Sequence, residues 1–387
     1  MAKDFIYLDY AASTPVDPRV AEHMHECRES GYANPSSNHI AGRVSRANIE
    51  RAAEQLAALL NVDPKTLVWT SGATESDNLG IAGAARFRSH RGKHLVTLLT
   101  EHKAVTDVFH MLEKQGFEVT WLKPDEDGRL DPATFASELR DDTQLASVMY
   151  VNNETGVTQD IETIGSICRE RDVLFHVDAA QAVGKIPIDL QALPVDLLSL
   201  TAHKFYGPKG IGALYVADRP GCRVEPILFG GGQQQRIRPG TLPADLIAGL
   251  GLAAEIAQSG IETDLGHLGN LRRRLWAGIR DIEGVLVNGD IESGFPGILN
   301  VSVSDVEGES LLLELEPICV ATGSACNSKS REPSYVLRAL GRSDLLAQSA
   351  IRFSMGRPTT EDEVEFAARR YREAVTRLRD LAPAVAL

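Results

Sequence analysis

The stretch "LSLTAHKFYGPKGIGALYV", residues 198–216, decides how the chain is read. Its apolar start, with Leu197 before it, reads as a buried strand. The chain then leaves the core through His203 and Lys204, turns at Gly207, Pro208 and Gly210, and enters a second strand at "IGALYV". A lysine at such a turn is ordinarily solvated. The alternative is a lysine held in a pocket to form a Schiff base. The choice depends on the residues at the ends of the other strands.

Working outward, short apolar runs alternate with helical patterns from about residue 65 to 216. The strand candidates are "LVWTS", "HLVTLLT", "FEVTWL", "LASVMYV", "VLFHVD", "VDLLSLT" and "IGALYV"; helical stretches run over Glu75–Arg86, Ala104–Gln115 and Ile161–Arg171. This alternation predicts an α/β fold, with a mainly parallel sheet covered by helices. Ligands of such sheets bind beyond the carboxyl ends of the strands. Past about residue 257 the texture changes: a charged helix, the strands "GILNVSV" and "AIRFSM", and a closing amphipathic helix with Thr360 and Glu363 as a capping box. Two units are expected, a large one over residues 15–257 and a smaller α+β unit over 1–14 and 258–387. The texture changes at Ala257–Asp264, and the first dozen residues are expected to pack on the smaller unit.

Each strand end offers a polar group. "TSGATESDN" comes after the first strand, and the helix N-terminus near Thr74, with Ser71 beside it, reads either as simple capping or as a phosphate cradle. It lacks the Walker lysine and the G-x-G-x-x-G pattern. His102 opens a helix after the second strand, as a cap, a ring stacker or an acid–base group. Asn152 and Asn153 come after "LASVMYV", and Asp178 and Gln181 after "VLF". A carboxylate so near a core needs a partner, and a pyridine-type nitrogen would be one. Lys204 completes the series. One ligand explains these groups together better than five separate accidents do, and pyridoxal 5′-phosphate asks for this set.

Cys326 lies in "ICVATGSACNSKSREPSY", among small and polar residues that suggest an exposed loop, about 321–332. A thiol there can visit the site, take a sulfur atom and deliver it, once deprotonated; His102 is the candidate base. Arg352 can grip a substrate carboxylate bidentately, and Asn34 can add a hydrogen bond. Cys319 and Cys168 read as packing and Cys27 as part of a helix face. Cys222 is expected on a surface turn after Pro220 and Gly221.

The five cysteines form no C-x-x-C pair, which argues against a disulfide framework or zinc site. A net charge of −13 argues against direct nucleic-acid binding by phosphate neutralisation. The first residues show no apolar leader, and no window of about 18 apolar residues suggests a membrane span. A reducing, cytoplasmic setting is expected.

Nearly end to end, the chain resembles the pyridoxal-dependent cysteine desulfurases of the housekeeping type, in the class V aminotransferase family. The likeness is carried by "IYLDYAASTPVDPRV", "SGATESDNL", "TEHKAV", "VNNETG", "HVDAAQAVGK", "HKFYGPKGIGALY", "RPGTLP", "EGESLL", "GSAC", "EPSYVLRALG" and "IRFSMGRPTTEDE". The resemblance implies a fold type I transferase with a seven-stranded sheet, acting as a homodimer. It gives Lys204 the covalent bond to the cofactor, Asp178 the pyridine nitrogen, and Gln181 and Asn153 the phenolic oxygen. His102 stacks on the ring; Ala73, Thr74, Thr201 and His203 hold the phosphate, with Thr241 from the other subunit. Arg352 and Asn34 take the carboxylate of L-cysteine, and Cys326 forms the persulfide for a protein acceptor.

Two departures stand out. Asn327 replaces a serine or threonine, and the chain stops at Leu387, where related enzymes often continue into a segment that contacts a cluster scaffold. These departures leave the acceptor open between an iron–sulfur scaffold and a sulfur-relay protein for nucleic-acid thiolation, with a specialised desulfurase for DNA or RNA sulfur modification as the alternative. The rival readings are a selenocysteine lyase, which would not need Cys326, and a non-catalytic interaction module, which would have no use for Lys204, Asp178, His102 and Cys326 together.

Overall fold

The computed structural model describes residues 5–322 and 332–381. Cys326 and its immediate neighbours lie outside the described residues. Seven strands form the central sheet: β1 (Leu67–Thr70), β2 (His94–Leu98), β3 (Glu118–Leu122), β4 (Thr143–Met149), β5 (Leu174–Asp178), β6 (Leu197–Thr201) and β7 (Gly212–Val216). Every expected strand is present to within a few residues. Their order across the sheet is β1-β7-β6-β5-β4-β2-β3. The pairs from β3 to β6 are parallel, while β7 runs antiparallel to both β6 and β1. Two antiparallel steps restore the direction, so β1, β2, β4, β5 and β6 all end on one edge of the sheet.

The strands are nearly continuous apolar runs because helices cover both faces. β4, β5 and β6 are buried at every position. The helix after β1 spans Ala73–Asp77, continues through a π-turn at Asn78–Ala82 and closes as Gly83–Phe87. Helices Lys103–Lys114 and Ile161–Glu170 begin at His102 and Asp160, whose side chains accept N–H bonds from the first turn.

A four-stranded antiparallel sheet forms the smaller layer, in the order Ala321–Thr322, Ile351–Ser354, Ile298–Val303, Val285–Val287. The N-terminal segment lies beside it: Ile6–Tyr7 pairs in parallel with Ile318–Cys319, and Asp9 bridges to Ser354. The expected capping box holds, Thr360 N–H donating to Glu363 at 2.8 Å and Glu363 N–H to the Thr360 hydroxyl at 3.2 Å. The texture change at Ala257–Asp264 falls inside one 36-residue helix, Ala244–Ile279, which runs without interruption from one layer to the other. One hydrophobic cluster extends from Leu8 to Val375 across both layers. Among the described residues no helix is long and apolar enough to cross a membrane.

Candidate active site

The sheet edge at which β1, β2, β4, β5 and β6 end opens into a cavity of about 470 Å³. Ala73, Thr74, His102, Asn153, Asp178, Gln181, Thr201, His203, Lys204 and Arg352 all line it. Residues from Ala73 to Lys204 meet because five strands end together, and Arg352 reaches in from the Ile351–Ser354 strand of the smaller sheet.

The first wall is the turn after β1. Gly72 has φ 151°, a conformation that side chains resist, and a Cβ there would stand 3.5 Å from the Thr201 hydroxyl. The chain thereby brings the start of the helix against the end of β6. Thr201, 3% exposed, donates its hydroxyl to the Ile211 carbonyl at 3.3 Å.

His102 Nδ1 accepts the Ala104 N–H at 3.1 Å. Burial holds its pKa below the ordinary histidine value; Asp178 opposes this and Lys204 adds to it. The ring is therefore neutral near pH 7, and with Nδ1 accepting, its proton sits on Nε2. To take a proton from a thiol, the ring must first give up that proton or its bond to Ala104.

Asp178 closes β5 and accepts the Ala180 N–H at 2.9 Å. Burial raises its pKa, while His102, the Ala180 N–H and Lys204 pull it back. Asp77 shares the cavity. It is wholly buried, and neither of its carboxylate oxygens has a hydrogen-bond partner among the described residues. Burial and then Asp178 raise its pKa strongly, because two adjacent buried carboxylates cannot both ionise cheaply. Behind them His176 bridges Ser147 and Ser199 at 2.8 and 2.9 Å, its pKa pushed down to about 3 by burial.

Lys204 Nζ donates to the carbonyls of Ala11 and Ala12 at 2.6 and 2.8 Å. His203 Nδ1 lies 3.2 Å from the Ser13 hydroxyl, and burial, with Lys204, Lys209 and Lys185, pushes its pKa down to about 4. Arg352 donates through Nη1 to the Asn153 carbonyl at 2.9 Å and through Nη2 to Asp9 at 2.7 Å. Its Nε is buried without a hydrogen-bond partner among the described residues.

Two candidate residues stand elsewhere. Asn34 and Thr241 line a separate hollow together with Arg28 and Asp245. Asn152 is a framework residue: its amide donates to the Thr100 carbonyl and its oxygen accepts from Glu154 and Thr155. Cys222 is not on the surface but 4% exposed, its sulfur 3.6 Å from the Asp196 carbonyl, and burial and then Asp196 push its thiol up to about 12. The turn at Gly221 folds it inward. Cys319 is half-buried, not fully in the core. Sequence reasoning missed Asp77, Asp9 and Lys185; an acid inside the otherwise apolar face of "TESDNLGIAGA" was the one available signal for Asp77.

The aminotransferase class-V family profile matches residues 6–366. The chain belongs to the class V aminotransferases. It is 53% identical over 381 residues to the cysteine desulfurase IscS of Enterobacter sp. (strain 638), covering 98% of this chain and 94% of that protein. Among solved structures, a NifS-like protein superposes with a TM-score of 0.90 at 34% identity, covering 97% of this chain and all of the other. SspA in complex with cysteine gives a TM-score of 0.81 at 36% identity, with 91% and 99% covered. Within its family the chain is an IscS-like cysteine desulfurase, an enzyme of sulfur transfer. Class V aminotransferases generally use pyridoxal 5′-phosphate.

Proposed function

We propose that the protein removes the sulfur atom of L-cysteine, releases L-alanine and holds the sulfur as a persulfide on Cys326 for a protein acceptor. The observation that carries this reading is the meeting of Lys204, Asp178, His102, Arg352 and the Gly72–Thr74 turn in one cavity. SspA, 36% identical, was solved with cysteine, which supports the substrate.

Pyridoxal 5′-phosphate fits the donor set. The backbone N–H groups at Ala73 and Thr74, with the Thr74 and Thr201 hydroxyls and neutral His203, would hold its phosphate. Asp178 would face its ring nitrogen, Gln181 and Asn153 its phenolic oxygen, and His102 its ring. Lys204 would form the Schiff base. When bound, the cofactor supplies an electron sink for charge developing beside the substrate amino group.

The chain's own residues do the rest. Asp178 offers one fixed negative charge where a protonated ring nitrogen needs it. The buried Arg352 fork, oriented by Asp9 and the Asn153 carbonyl, would take the substrate carboxylate. The neutral His102 ring offers a proton from Nε2. The Cys326 thiolate would accept the sulfur.

As a homodimer in the cytoplasm, the enzyme would complete its phosphate site with Thr241 of the partner subunit. Thr241 and Asn34 lie apart from the cavity within one chain, and Tyr32 beside them is 80% exposed, which supports this reading. The acceptor would be a cluster scaffold or a sulfur-relay protein.

The test is alanine production from L-cysteine by cofactor-loaded protein. Wild type should produce alanine, and Cys326→Ser should bind cofactor and substrate with production close to zero. Full production by Cys326→Ser contradicts the proposal.

A further inference from the structure

Gln181 and Lys185 stand four residues apart in the turn that leaves β5. The Val183 and Ile186 N–H groups donate to the Ala179 and Ala182 carbonyls, each at 3.0 Å, and wind the segment helically. Gly184 ends the turn at φ 72°, and a Cβ there would lie 2.7 Å from the Phe205 side chain. The turn therefore packs directly on the neighbour of Lys204.

Lys185 Nζ donates to Gln181 Oε1 at 2.5 Å. Gln181 Nε2 donates to the Ala11 carbonyl at 2.7 Å, the same oxygen that accepts from Lys204. No carboxylate among the described residues forms an ion pair with Lys185, and its Nζ lies 5.6 Å from the centre of the Phe295 ring. Burial, then Lys204 and Arg352, hold its pKa well below the ordinary lysine range. A lysine placed inside without a counter-charge is costly, and among the described residues its one polar side-chain contact is Gln181.

The two contacts together hold the amide in one orientation. A backbone carbonyl only accepts, so Ala11 must face the amide nitrogen, and the amide oxygen must face Lys185. The nitrogen carries two hydrogens, and one remains after Ala11 is served.

We propose that Lys185 is a positioning residue: its amine locks the Gln181 amide so that this side chain offers an N–H, and not a carbonyl oxygen, to the phenolic oxygen of the bound cofactor. The inference rests on the reading of Gln181 as that oxygen's partner. An N–H donated to the phenolate draws charge away from it and loosens its hold on the Schiff-base proton. A flipped amide would set two acceptors against each other and do the opposite.

The experiment is a pH titration of the visible absorption band of the cofactor-loaded protein. Its midpoint should rise by about one unit in Lys185→Met and in Gln181→Leu, the loss expected for one hydrogen bond to a charged oxygen. The double variant should rise no further, because both changes remove the same bond. Lys185→Arg keeps a donor and should keep the wild-type midpoint, and it decides the matter if Lys185→Met fails to fold. An unmoved midpoint in Lys185→Met beside a shifted Gln181→Leu overturns the inference and leaves the Gln181 reading standing. An unmoved midpoint in Gln181→Leu overturns both. Additive shifts in the double variant, or a full shift in Lys185→Arg, also overturn it, since Lys185 would then act without Gln181.

Discussion

Replacing Glu154 by glutamine should stabilise the protein in a strongly pH-dependent way. Glu154 is 6% exposed and accepts the Ser334 hydroxyl at 2.6 Å. Ser334 in turn caps the helix Tyr335–Ala339, accepting the Leu337 N–H. Burial pushes the Glu154 pKa from 4.5 up to about 7, against the pull of the Ser334 hydrogen bond and of Arg352. The sign comes from proton counts. Between pH 4.5 and about 7 the folded state keeps a proton that the unfolded state has lost, so stability falls as pH rises. At about 1.36 kcal/mol per pH unit, the wild type loses about 3 kcal/mol across this window, and Glu154→Gln, which cannot ionise, does not. An unfolding entropy of about 2.1 cal/mol/K per residue over 387 residues is about 0.8 kcal/mol/K. About 2.5 kcal/mol of this loss falls between pH 5 and pH 8, so the lead of Glu154→Gln in thermal midpoint should be about 3 °C larger near pH 8 than near pH 5. Scanning calorimetry of both proteins at the two pH values measures it. An equal gap at both would refute the reasoning and mean that Glu154 ionises as an ordinary carboxylate.

Lys204→Ala should abolish turnover while the phosphate cradle still retains some cofactor; retained turnover would remove the Schiff-base role. Gly184→Ala should cost about 2–5 kcal/mol, the sum of a left-handed alanine and a methyl driven against Phe205, and should slow turnover through the neighbouring Lys204; denaturant unfolding at wild-type stability would contradict this. Light scattering should find the active species to be a dimer, and a fully active monomer would exclude a phosphate contact from Thr241 of the partner subunit.

Most of the sheet was legible because strands buried on both faces announce themselves as apolar runs. Lys204, Asp178 and His102 are candidates because each stands at or just past the end of a strand, and all three line one cavity. Packing facts were not legible in the same way. Cys222 comes after a proline–glycine pair that reads as surface, yet the turn at Gly221 buries its sulfur. The change in texture at Ala257–Asp264 falls inside one helix, Ala244–Ile279, which the sequence pattern does not announce. Lys185 reads as one more solvated lysine until Gln181 and Phe295 are seen beside it. Asn34 and Thr241 sit apart from the cavity within one chain, a separation that no pattern along the sequence states.

Persulfide formation on Cys326 is the claim on which the account most depends. The other four thiols are poorly suited to it: burial raises the pKa of Cys27, Cys168, Cys222 and Cys319 alike, and only a thiolate attacks sulfur. The direct measurement is the mass of each cysteine-containing tryptic peptide after cofactor-loaded protein has been treated with L-cysteine. The account predicts one added sulfur atom on the peptide that contains Cys326, removed by a thiol reductant and absent from Cys326→Ser. An added sulfur on the peptide of Cys27, Cys168, Cys222 or Cys319, or none on any peptide while alanine is formed, would contradict it.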